Sequence, residues 1–215
     1  GMQVTLRPCV ADEENQIPQL IDSLNKQNYP RELYQIFLIA DNCTDKTADT
    51  GRKLGLKVYE RFNKTEIGKS YALDYAINLI FKDPQYDDLE AFFVFDADNL
   101  VPANFLYEMN KVFDAGYKVS TSMRNSKNFD SSWVAGGQGI SFLREALMIH
   151  HSRSAFNIGT YISGTGFYVS RDVLQKYGGW PFHTLIEDIE FSLQCALDKI
   201  KITYNENAEF FDEQP

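Results

Sequence analysis

The sequence predicts an α/β protein with a mostly parallel central sheet flanked by helices. Two observations carry this prediction. Short apolar runs of strand length alternate with amphipathic helical stretches as far as Phe95, and this alternation is the βαβ pattern of a parallel sheet with right-handed crossovers. In addition, the 215 residues contain no internal repeat, low-complexity tract or Pro/Gly/Ser linker. We therefore expect one domain over residues 1–215.

The first half of the chain supplies strands and helices in alternation. The predicted strands are residues 4–6, 34–40, 56–59 and 92–95. The predicted helices are a stretch with one apolar face at Ile17, Leu20, Ile21 and Leu24, a helix capped by Thr44 or Asp45 and ending near Leu54, and residues 70–81. We expect Pro8 to end the first strand, because proline cannot donate a hydrogen bond to the sheet.

The second half continues with helices at residues 105–115, 171–177 and 187–198, and with strands at residues 118–123 and 201–204. Residues 125–132 are polar and predict a loop, whereas residues 133–155 predict mostly helix. Residues 162–170 alternate around two glycines and predict a strand where backbone approaches something closely. Gly178 and Gly179 predict a turn, and Thr184 is the expected cap of the last helix.

Composition limits the possible partners and compartments. A hydrophobic content of 44% with 24% charged residues is ordinary for a soluble globular protein. The net charge of -9 argues against nucleic acid or an anionic lipid surface as an electrostatic partner. The odd number and scattered positions of the cysteines favour a reduced, cytoplasmic setting over a zinc cluster. No apolar run is long enough to span a bilayer, so we expect these residues to be soluble.

Asp96 and Asp98 follow the apolar run of residues 92–95 directly. In an extended chain residues i and i+2 point the same way, so two carboxylates leave the end of a buried strand on one side. At the carboxyl end of a parallel strand, such a pair must either be neutralised or hold a hard cation through its oxygen atoms. A loop capped by the side chains of Asp98 and Asn99 is the alternative, and the spacing alone leaves both open.

An ordered set of motifs identifies a known family. They are DEE at 12–14, SLNKQNYP at 23–30, ADNCTD at 40–45, IGKSYALDYA at 67–76, DADN at 96–99, GTGFYVSRDVL at 164–174 and IEDIEFSLQ at 186–194. In this order they resemble the inverting nucleotide-sugar glycosyltransferases of family 2, which have the GT-A (nucleotide-diphospho-sugar transferase) fold. The spacing is most similar to the cytoplasmic catalytic domains of membrane-bound cellulose-synthase-like and N-acetylglucosaminyl-transferring members.

Three features depart from that family's pattern. Cys9 stands where the family has a proline, and Asp12 stands where it has an asparagine. The family's Gln-x-x-Arg-Trp motif is not among these residues, and the resemblance implies that this motif and the membrane helices after it would follow them in the parent protein. The resemblance therefore implies a parent protein embedded in the membrane, with this part at its cytoplasmic face.

The resemblance also implies roles for particular residues. Asp188 would be the catalytic base, and the nucleotide-sugar site would comprise Glu13, Asp41, Lys69, Asp96 and Asp98. Asp98 would ligate Mg²⁺ or Mn²⁺ directly, with Asp96 beside it. The acceptor side would be formed by Gly164, Thr165, Gly166 and Glu187. Each type of residue has a structural alternative: the acids can cap helices, the lysine can be solvated, and the glycines can permit a tight core crossing.

The expected function is metal-dependent inverting glycosyl transfer from a nucleotide-diphospho sugar, most commonly a UDP-sugar in the resembling group, to a hydroxyl of a saccharide or lipid-linked acceptor. A nucleotidyltransferase is a second hypothesis, but it would place a Gly-rich, basic phosphate loop after the first strand, where DEEN stands. A non-catalytic nucleotide-sugar-binding module is a third hypothesis.

Overall fold

The computed structural model describes the backbone of residues 2–9 and both the backbone and the side chains of residues 14–214. Within these residues seven strands form one sheet in the order β3-β2-β1-β4-β6-β5-β7. The strands are β1 (Met2–Cys9), β2 (Ile36–Asp41), β3 (Lys57–Arg61), β4 (Ala91–Phe95), β5 (Val119–Ser126), β6 (Phe167–Ser170) and β7 (Ile202–Asp212). The helices are α1 (Ile17–Asn25), α2 (Thr47–Lys53), α3 (Lys69–Lys82), α4 (Phe105–Asp114), α5 (Trp133–Arg144), α6 (Ser152–Ala155), α7 (Arg171–Tyr177) and α8 (Glu187–Leu197).

The sheet is mixed but mostly parallel. β1 lies between β2 and β4 and is parallel to both, and β3 extends the same parallel group from β2. β5 and β7 are parallel to each other. Only β6 runs against its neighbours β4 and β5. The predicted α/β class is confirmed, and β6 is the single reversal among the described strands.

The core has two layers because alternate residues of a strand face opposite sides of the sheet. On β4, Phe93 and Phe95 pack with α1 and α4, whereas Phe92 and Val94 pack with α3, α7 and α8. The predicted face of α1 is buried in the first layer. Burial of one large apolar side chain contributes about 2 kcal/mol to the free energy of unfolding. The apolar residues of β4 therefore stabilise both layers of the core.

Strand β6 is shorter than predicted. It begins at Phe167, and residues 162–166 before it form no strand. Gly164 and Gly166 have φ angles of +68° and +67°, which belong to the left-handed region and not to an extended strand. The alternation of residues 162–170 was therefore misleading, because the two glycines turn the backbone instead of extending it.

Strands β1, β5 and β7 are longer than predicted. β1 continues through Pro8 to Cys9, and the register with β2 shifts between Thr5 and Pro8. Such an irregularity is where a sheet tolerates a residue without an N–H group. β5 extends to Ser126 through its pairing with β7, so the predicted loop begins later. The polar residues at these strand ends hid the extension from the sequence prediction.

Two helix predictions are also corrected. Residues 133–155 are helical throughout, but Glu145–His151 form a wider π-helical segment between α5 and α6. Thr184 does not cap α8. Instead its amide and hydroxyl both donate to Glu190 Oε2, at 3.2 and 2.9 Å, and α8 begins at Glu187. None of the described helices is both long and apolar enough to cross a bilayer.

Replacing Gly166 by alanine tests the turn before β6. Its φ is +67° and a Cβ atom would collide with the ring of Phe210, so both backbone strain and overpacking oppose the change. We expect Gly166→Ala to lower the free energy of unfolding by about 3 kcal/mol in urea denaturation. Gly178→Ala is the matched control, because its φ of +72° is similar but no atom lies within 4 Å of the new Cβ. The control isolates the backbone strain of about 1 kcal/mol, and equal losses in the two variants would contradict the packing argument.

Candidate functional site

Lys69 and Asp96 form an ion pair at the carboxyl end of β4. Lys69, the first residue of α3, donates from Nζ to Asp96 Oδ1 at 3.1 Å and also to the carbonyl oxygen of Gly164. The two side chains are only 10% and 12% exposed. A charge-assisted bond in such a poorly hydrated place is stronger than a surface pair. It joins three segments that are far apart in the sequence.

The side chain of Asn99 organises the turn that carries the two aspartates. Its Oδ1 accepts from the backbone N–H of Asp96 at 3.0 Å and from Thr165 Oγ1 at 2.6 Å. Its Nδ2 donates to Asp98 Oδ1 at 3.2 Å and to Asp212 Oδ1 at 2.6 Å. Asn99 is 1% exposed, and a buried amide with all these partners holds a loop in one conformation. This arrangement accommodates the predicted capping role of Asn99 and leaves Asp98 partly accessible to solvent.

Asp212 is a buried anion that the sequence analysis did not single out. It is the last residue of β7, and its Oδ2 accepts from Arg124 Nε at 3.1 Å and from Gln214 Nε2 at 2.6 Å. Arg124 lies on β5, which pairs with β7. The Arg124–Asp212 pair therefore connects the far side of the sheet to Asn99. The alternate burial of residues 208, 210 and 212 on β7 is seen only in the structure, and no pattern in the sequence indicated Asp212.

Asp188 lies in the first turn of α8 beside the glycine turn. Its Oδ1 accepts from the N–H of Ile189 at 2.8 Å, while its Oδ2 would lie 3.9 Å from a Cβ atom on Gly164. Ser192, one turn further along α8, donates to the Asp188 carbonyl at 2.7 Å and accepts from the N–H of Ile162 at 3.1 Å. These bonds attach α8 to the 162–166 segment. Gly164 thus contacts Lys69 through its carbonyl oxygen and faces Asp188 at its Cα atom.

Asp41 ends β2 and is 1% exposed. Its Oδ1 accepts from Arg61 Nη1 at 2.8 Å, and Arg61 also contacts Glu66 Oε2 at 3.2 Å. Among the described residues, the other oxygen of Asp41 has no hydrogen-bond partner. Such a buried acceptor without a donor costs about 1–3 kcal/mol. Arg61 lies two residues beyond the predicted end of its strand, so the sequence did not indicate that it would pair with Asp41.

Two open cavities adjoin Lys69 and Arg61. The smaller, of about 310 Å³, is lined by Lys69, Tyr71, His183 and Glu187 among others. The larger, of about 770 Å³, shares Tyr71 and His183 with it and reaches Arg61. The rings of Tyr71 and His183 stack with centroids 4.1 Å apart. Both volumes are of the size that small-molecule sites have, and the stacked pair presents aromatic surface to each.

Behind Thr165 the interior is polar. A cavity of about 10 Å³, room for about one water molecule, is lined by Arg124, Glu145, His150 and Thr165 among others. His150 Nε2 lies 3.5 Å from Glu145 Oε1. The hydrogen bond from His150 holds the pKa of Glu145 below its ordinary value, against the opposing effect of burial. Both residues belong to the π-helical segment Glu145–His151.

The remaining predicted site residues differ in how they are placed. Thr165 is 2% exposed and its hydroxyl is engaged with Asn99. Gly166 packs tightly against Phe210, as a core crossing does. Glu187 lines the smaller cavity. Glu13 lies outside the described residues.

Carboxylate oxygens at Asp96 and Asp98 are of the type that Mg²⁺ and Mn²⁺ prefer. No group of three or more His, Cys, Asp or Glu residues in the part of the chain that the structure describes could hold a metal ion. Each aspartate has an oxygen in a hydrogen bond, Asp96 with Lys69 and Asp98 with Asn99. Asp98 is the more exposed of the two and is therefore the better candidate for a direct ligand. The residues fit a cation whose remaining ligands are phosphate oxygens and water, which is the usual way proteins bind Mg²⁺.

A family model described as glycosyltransferase like family 2 matches residues 4–215. The beta-monoglucosyldiacylglycerol synthase of Nostoc sp. is 28% identical over 205 residues, which cover 91% of this chain and 42% of that protein. The probable glycosyltransferase YdaM of Bacillus subtilis is 26% identical over 205 residues, covering 85% of this chain and 44% of that protein. The chain therefore spans less than half the length of these relatives.

Two solved structures have a similar fold. The mannosyltransferase PcManGT from Pyrobaculum calidifontis, in complex with GDP-Man and Mn²⁺, aligns with a TM-score of 0.70 at 18% identity, covering 100% of this chain and 57% of that chain. S. aureus TarS 1-349 in complex with UDP-GlcNAc aligns with a TM-score of 0.65 at 14% identity, covering 100% and 59%. The fold of this chain is therefore that of the GT-A transferases.

Removing the carboxylate of Asp212 tests the connection between β7 and Asn99. Asp212→Ala leaves Arg124 and the amide of Asn99 without their shared acceptor, so we expect a loss of roughly 3 kcal/mol in the free energy of unfolding. Urea denaturation monitored by circular dichroism measures it. Glu213→Ala is the control, because the pair of Glu213 with Lys127 at 2.8 Å lies nearer the surface and should contribute less than about 1 kcal/mol. A loss in Asp212→Ala as small as in the control would refute the structural role of Asp212.

Proposed function

The chain belongs to glycosyltransferase family 2 and has the GT-A fold, and from this premise we propose that it transfers a hexosyl group from a UDP-sugar to an acceptor hydroxyl, with inversion and with a divalent cation. Residues 1–215 would form one catalytic domain of a longer protein held at the cytoplasmic face of the membrane. The greater length of the curated relatives is consistent with further segments.

The convergence at Gly164 is the observation that carries the proposal. Lys69 binds both its carbonyl oxygen and Asp96, and Asp188 faces its Cα atom. A displacement at a sugar carbon needs a base near the attacking hydroxyl and positive charge near the departing diphosphate. Both kinds of group flank one residue that has no side chain. The space that the missing side chain leaves is where the sugar would lie.

Asp188 would act as the general base. It would take the proton of the acceptor hydroxyl as that oxygen attacks the anomeric carbon from the face opposite the diphosphate, which inverts the configuration there. The N–H of Ile189 binds Oδ1 of Asp188 at 2.8 Å and orients the carboxylate. Oδ2, on the side of Gly164, would then be the oxygen that receives the proton.

Lys69 would offset the negative charge of the diphosphate in an acidic protein. Mg²⁺ or Mn²⁺, held by Asp98 with Asp96 beside it, would supply Lewis-acid stabilisation of the departing nucleoside diphosphate. The complex of PcManGT with GDP-Man and Mn²⁺ supports the use of a divalent cation. Asp96 would contact the ribose, the sugar or the water shell of the cation, because Lys69 already binds its Oδ1.

Asp41 would bind the nucleoside. Its Oδ2 lacks a donor among the described residues, and an N–H group of a uracil base could supply one. Arg61 would hold the Asp41 carboxylate in place through Oδ1. Glu13 would belong to the same part of the site.

The acceptor would be a lipid. The names of the cyanobacterial relatives specify a glucosyl group joined to diacylglycerol, and we extend this acceptor class to the present chain. Gly164 and Glu187 would border the acceptor, because Glu187 lines the cavity next to Lys69. Thr165 and Gly166 would shape this side indirectly, since the hydroxyl of Thr165 is bound to Asn99 and Gly166 packs on Phe210.

Calorimetric titration with UDP and with GDP, each with and without Mn²⁺, tests the donor site. We expect UDP to bind only with metal, and Asp98→Ala to abolish that metal-dependent binding because the direct ligand is gone. Asp87→Ala is the control, since Asp87 is 65% exposed in a surface pair with Arg171. Metal-dependent binding by Asp98→Ala equal to that of the wild type would remove Asp98 from the metal site. Binding of GDP instead of UDP would correct the donor class.

Replacing Asp188 by asparagine separates binding from transfer. We expect Asp188→Asn to keep the affinity for UDP and Mn²⁺ but to lower the rate of sugar transfer at least about 100-fold, because asparagine cannot take the proton. Transfer from UDP-glucose to diacylglycerol in detergent measures the rate. Asp172→Asn, which removes the same charge from the first turn of α7, should leave the rate unchanged. A weaker affinity for UDP with an unchanged transfer rate would contradict the assignment of Asp188.

A further inference from the structure

The helical segment that runs from α5 through the π-helical segment has an apolar outer face. Trp133, Ile140, Leu147 and Met148 are 88%, 61%, 61% and 70% exposed, and we call these four residues the outer stripe. On the opposite side, Ala135, Gly139, Ala146 and His150 are buried. A helix on the surface of a globular protein normally carries polar residues at such positions. Side chains that remain exposed on this scale mark a surface that binds something apolar.

Within residues 133–158, both exposed side chains of the Arg, Lys, Asp and Glu types are arginines, although Asp130 lies three residues before Trp133 and Glu206 contacts His151 at 2.7 Å. Arg144 is exposed between Ile140 and Leu147, and Arg153 is exposed on α6. The nearest acid in the sequence, Glu145, is turned inward toward His150 at 3.5 Å. The chain as a whole has a net charge of -9. At physiological salt, however, charges are screened beyond about 8 Å, so a partner at this face interacts with Arg144 and Arg153, and with Asp130 and Glu206 at its border, rather than with the net charge of the whole chain.

The apolar surface continues past the helix. Phe156 and Ile158 are 77% and 52% exposed, and Arg153 lies just before them with its Nε bound to the carbonyl oxygen of Gly159 at 2.7 Å. Apolar residues alternating with arginines, with a tryptophan at one end, are typical of helices that lie in the headgroup region of a bilayer. Tryptophan in particular is enriched at that depth.

The same helical segment also contacts the site. Glu145, Ala146 and His150 on its inner face line the small cavity together with Thr165 and Arg124, and Thr165 binds the turn of Asp96. The segment thus lies between the outer surface and the small cavity behind Thr165, and a helix with its side chains is about 10 Å across. A bilayer bound at the outer face would therefore contact the helix that adjoins Thr165.

We propose that the outer stripe, with Arg144, Arg153, Phe156 and Ile158, binds the surface of an anionic lipid bilayer and holds the site over its acceptor. The inference rests on the proposed function for the lipid nature of the acceptor. Binding to the bilayer itself depends only on the apolar and basic residues of this face. The net charge of -9 argues against such a partner for the molecule as a whole, but this face carries two exposed arginines among its apolar side chains.

The fluorescence of the two tryptophans can report binding at the outer stripe. Trp133 is 88% exposed on the outer stripe, whereas Trp180 is 1% exposed in the core. Addition of vesicles of phosphatidylcholine with phosphatidylglycerol should shift the tryptophan emission to shorter wavelength and protect it from acrylamide. Trp133→Phe should remove this response, because Trp180 is already shielded. Vesicles of phosphatidylcholine alone should give a weaker response, since they lack the negative charge that the arginines would contact.

Vesicle sedimentation measures the binding itself. The double variant Leu147→Gln/Met148→Gln should bind at least roughly tenfold more weakly than the wild type, because two apolar side chains no longer enter the lipid. The control Leu33→Gln/Leu54→Gln changes two side chains that are 42% and 41% exposed elsewhere and should bind like the wild type.

Three results would overturn the inference. The first is an emission spectrum that anionic vesicles leave unchanged, and the second is equal vesicle binding by the two double variants. The third is the formation of concentration-dependent dimers that Leu147→Gln/Met148→Gln abolishes, because this result would assign the face to a second copy of the chain. Nucleotide calorimetry without lipid separates the two proposals. If UDP binds with Mn²⁺ while vesicles do not bind, the docking inference alone fails. If vesicles bind while no nucleotide does, the proposed function fails instead.

Discussion

The buried side chain of Asn99 is the constraint on which the candidate site depends. It binds the backbone of Asp96, the hydroxyl of Thr165 and the carboxylates of Asp98 and Asp212. A buried amide is stable only when its donors and acceptor are all satisfied. The turn after β4, the glycine turn before β6 and the end of β7 must therefore keep one relative arrangement. Loss of any one contact would leave polar groups unpaired in the interior.

The reversed direction of β6 explains why these segments meet. Parallel strands bring their carboxyl ends to one edge, so Asp41 after β2 and Asp96 after β4 lie at the same edge of the sheet. β6 is antiparallel to β4, with Phe167 paired to Val94. The residues that precede β6, and not those that follow it, therefore arrive beside Asp96. This geometry delivers Gly164 and Thr165 to the site and lets the following helices return Asp188 to the same place.

Local cations balance an acidic molecule at the site. Lys69 pairs with Asp96, Arg61 with Asp41 and Arg124 with Asp212, and in each pair at least one side chain is at most 12% exposed. A buried carboxylate without a partner would be strongly destabilising. Lys69 and Arg61 each line a cavity of small-molecule size. The ion pairs that stabilise the buried acids thus also place positive charge at these cavities, in spite of the net charge of -9.

The sequence by itself determined the α/β class and the order of most elements, because apolar periodicity is a local property. The position of Asp96 and Asp98 at a strand end was visible in the same way, whereas the predicted roles of Asp41, Lys69 and Asp188 came from the family resemblance. The sequence did not reveal Arg61, Arg124 or Asp212, since ion pairs between distant segments leave no local pattern. It misjudged residues 162–166, where two glycines with positive φ turn a chain that alternates like a strand. Only the tertiary structure decided which side chains meet at Gly164 and which helix face stays exposed. Both depend on strand direction and packing, and these are settled by the whole core and not by neighbours in sequence.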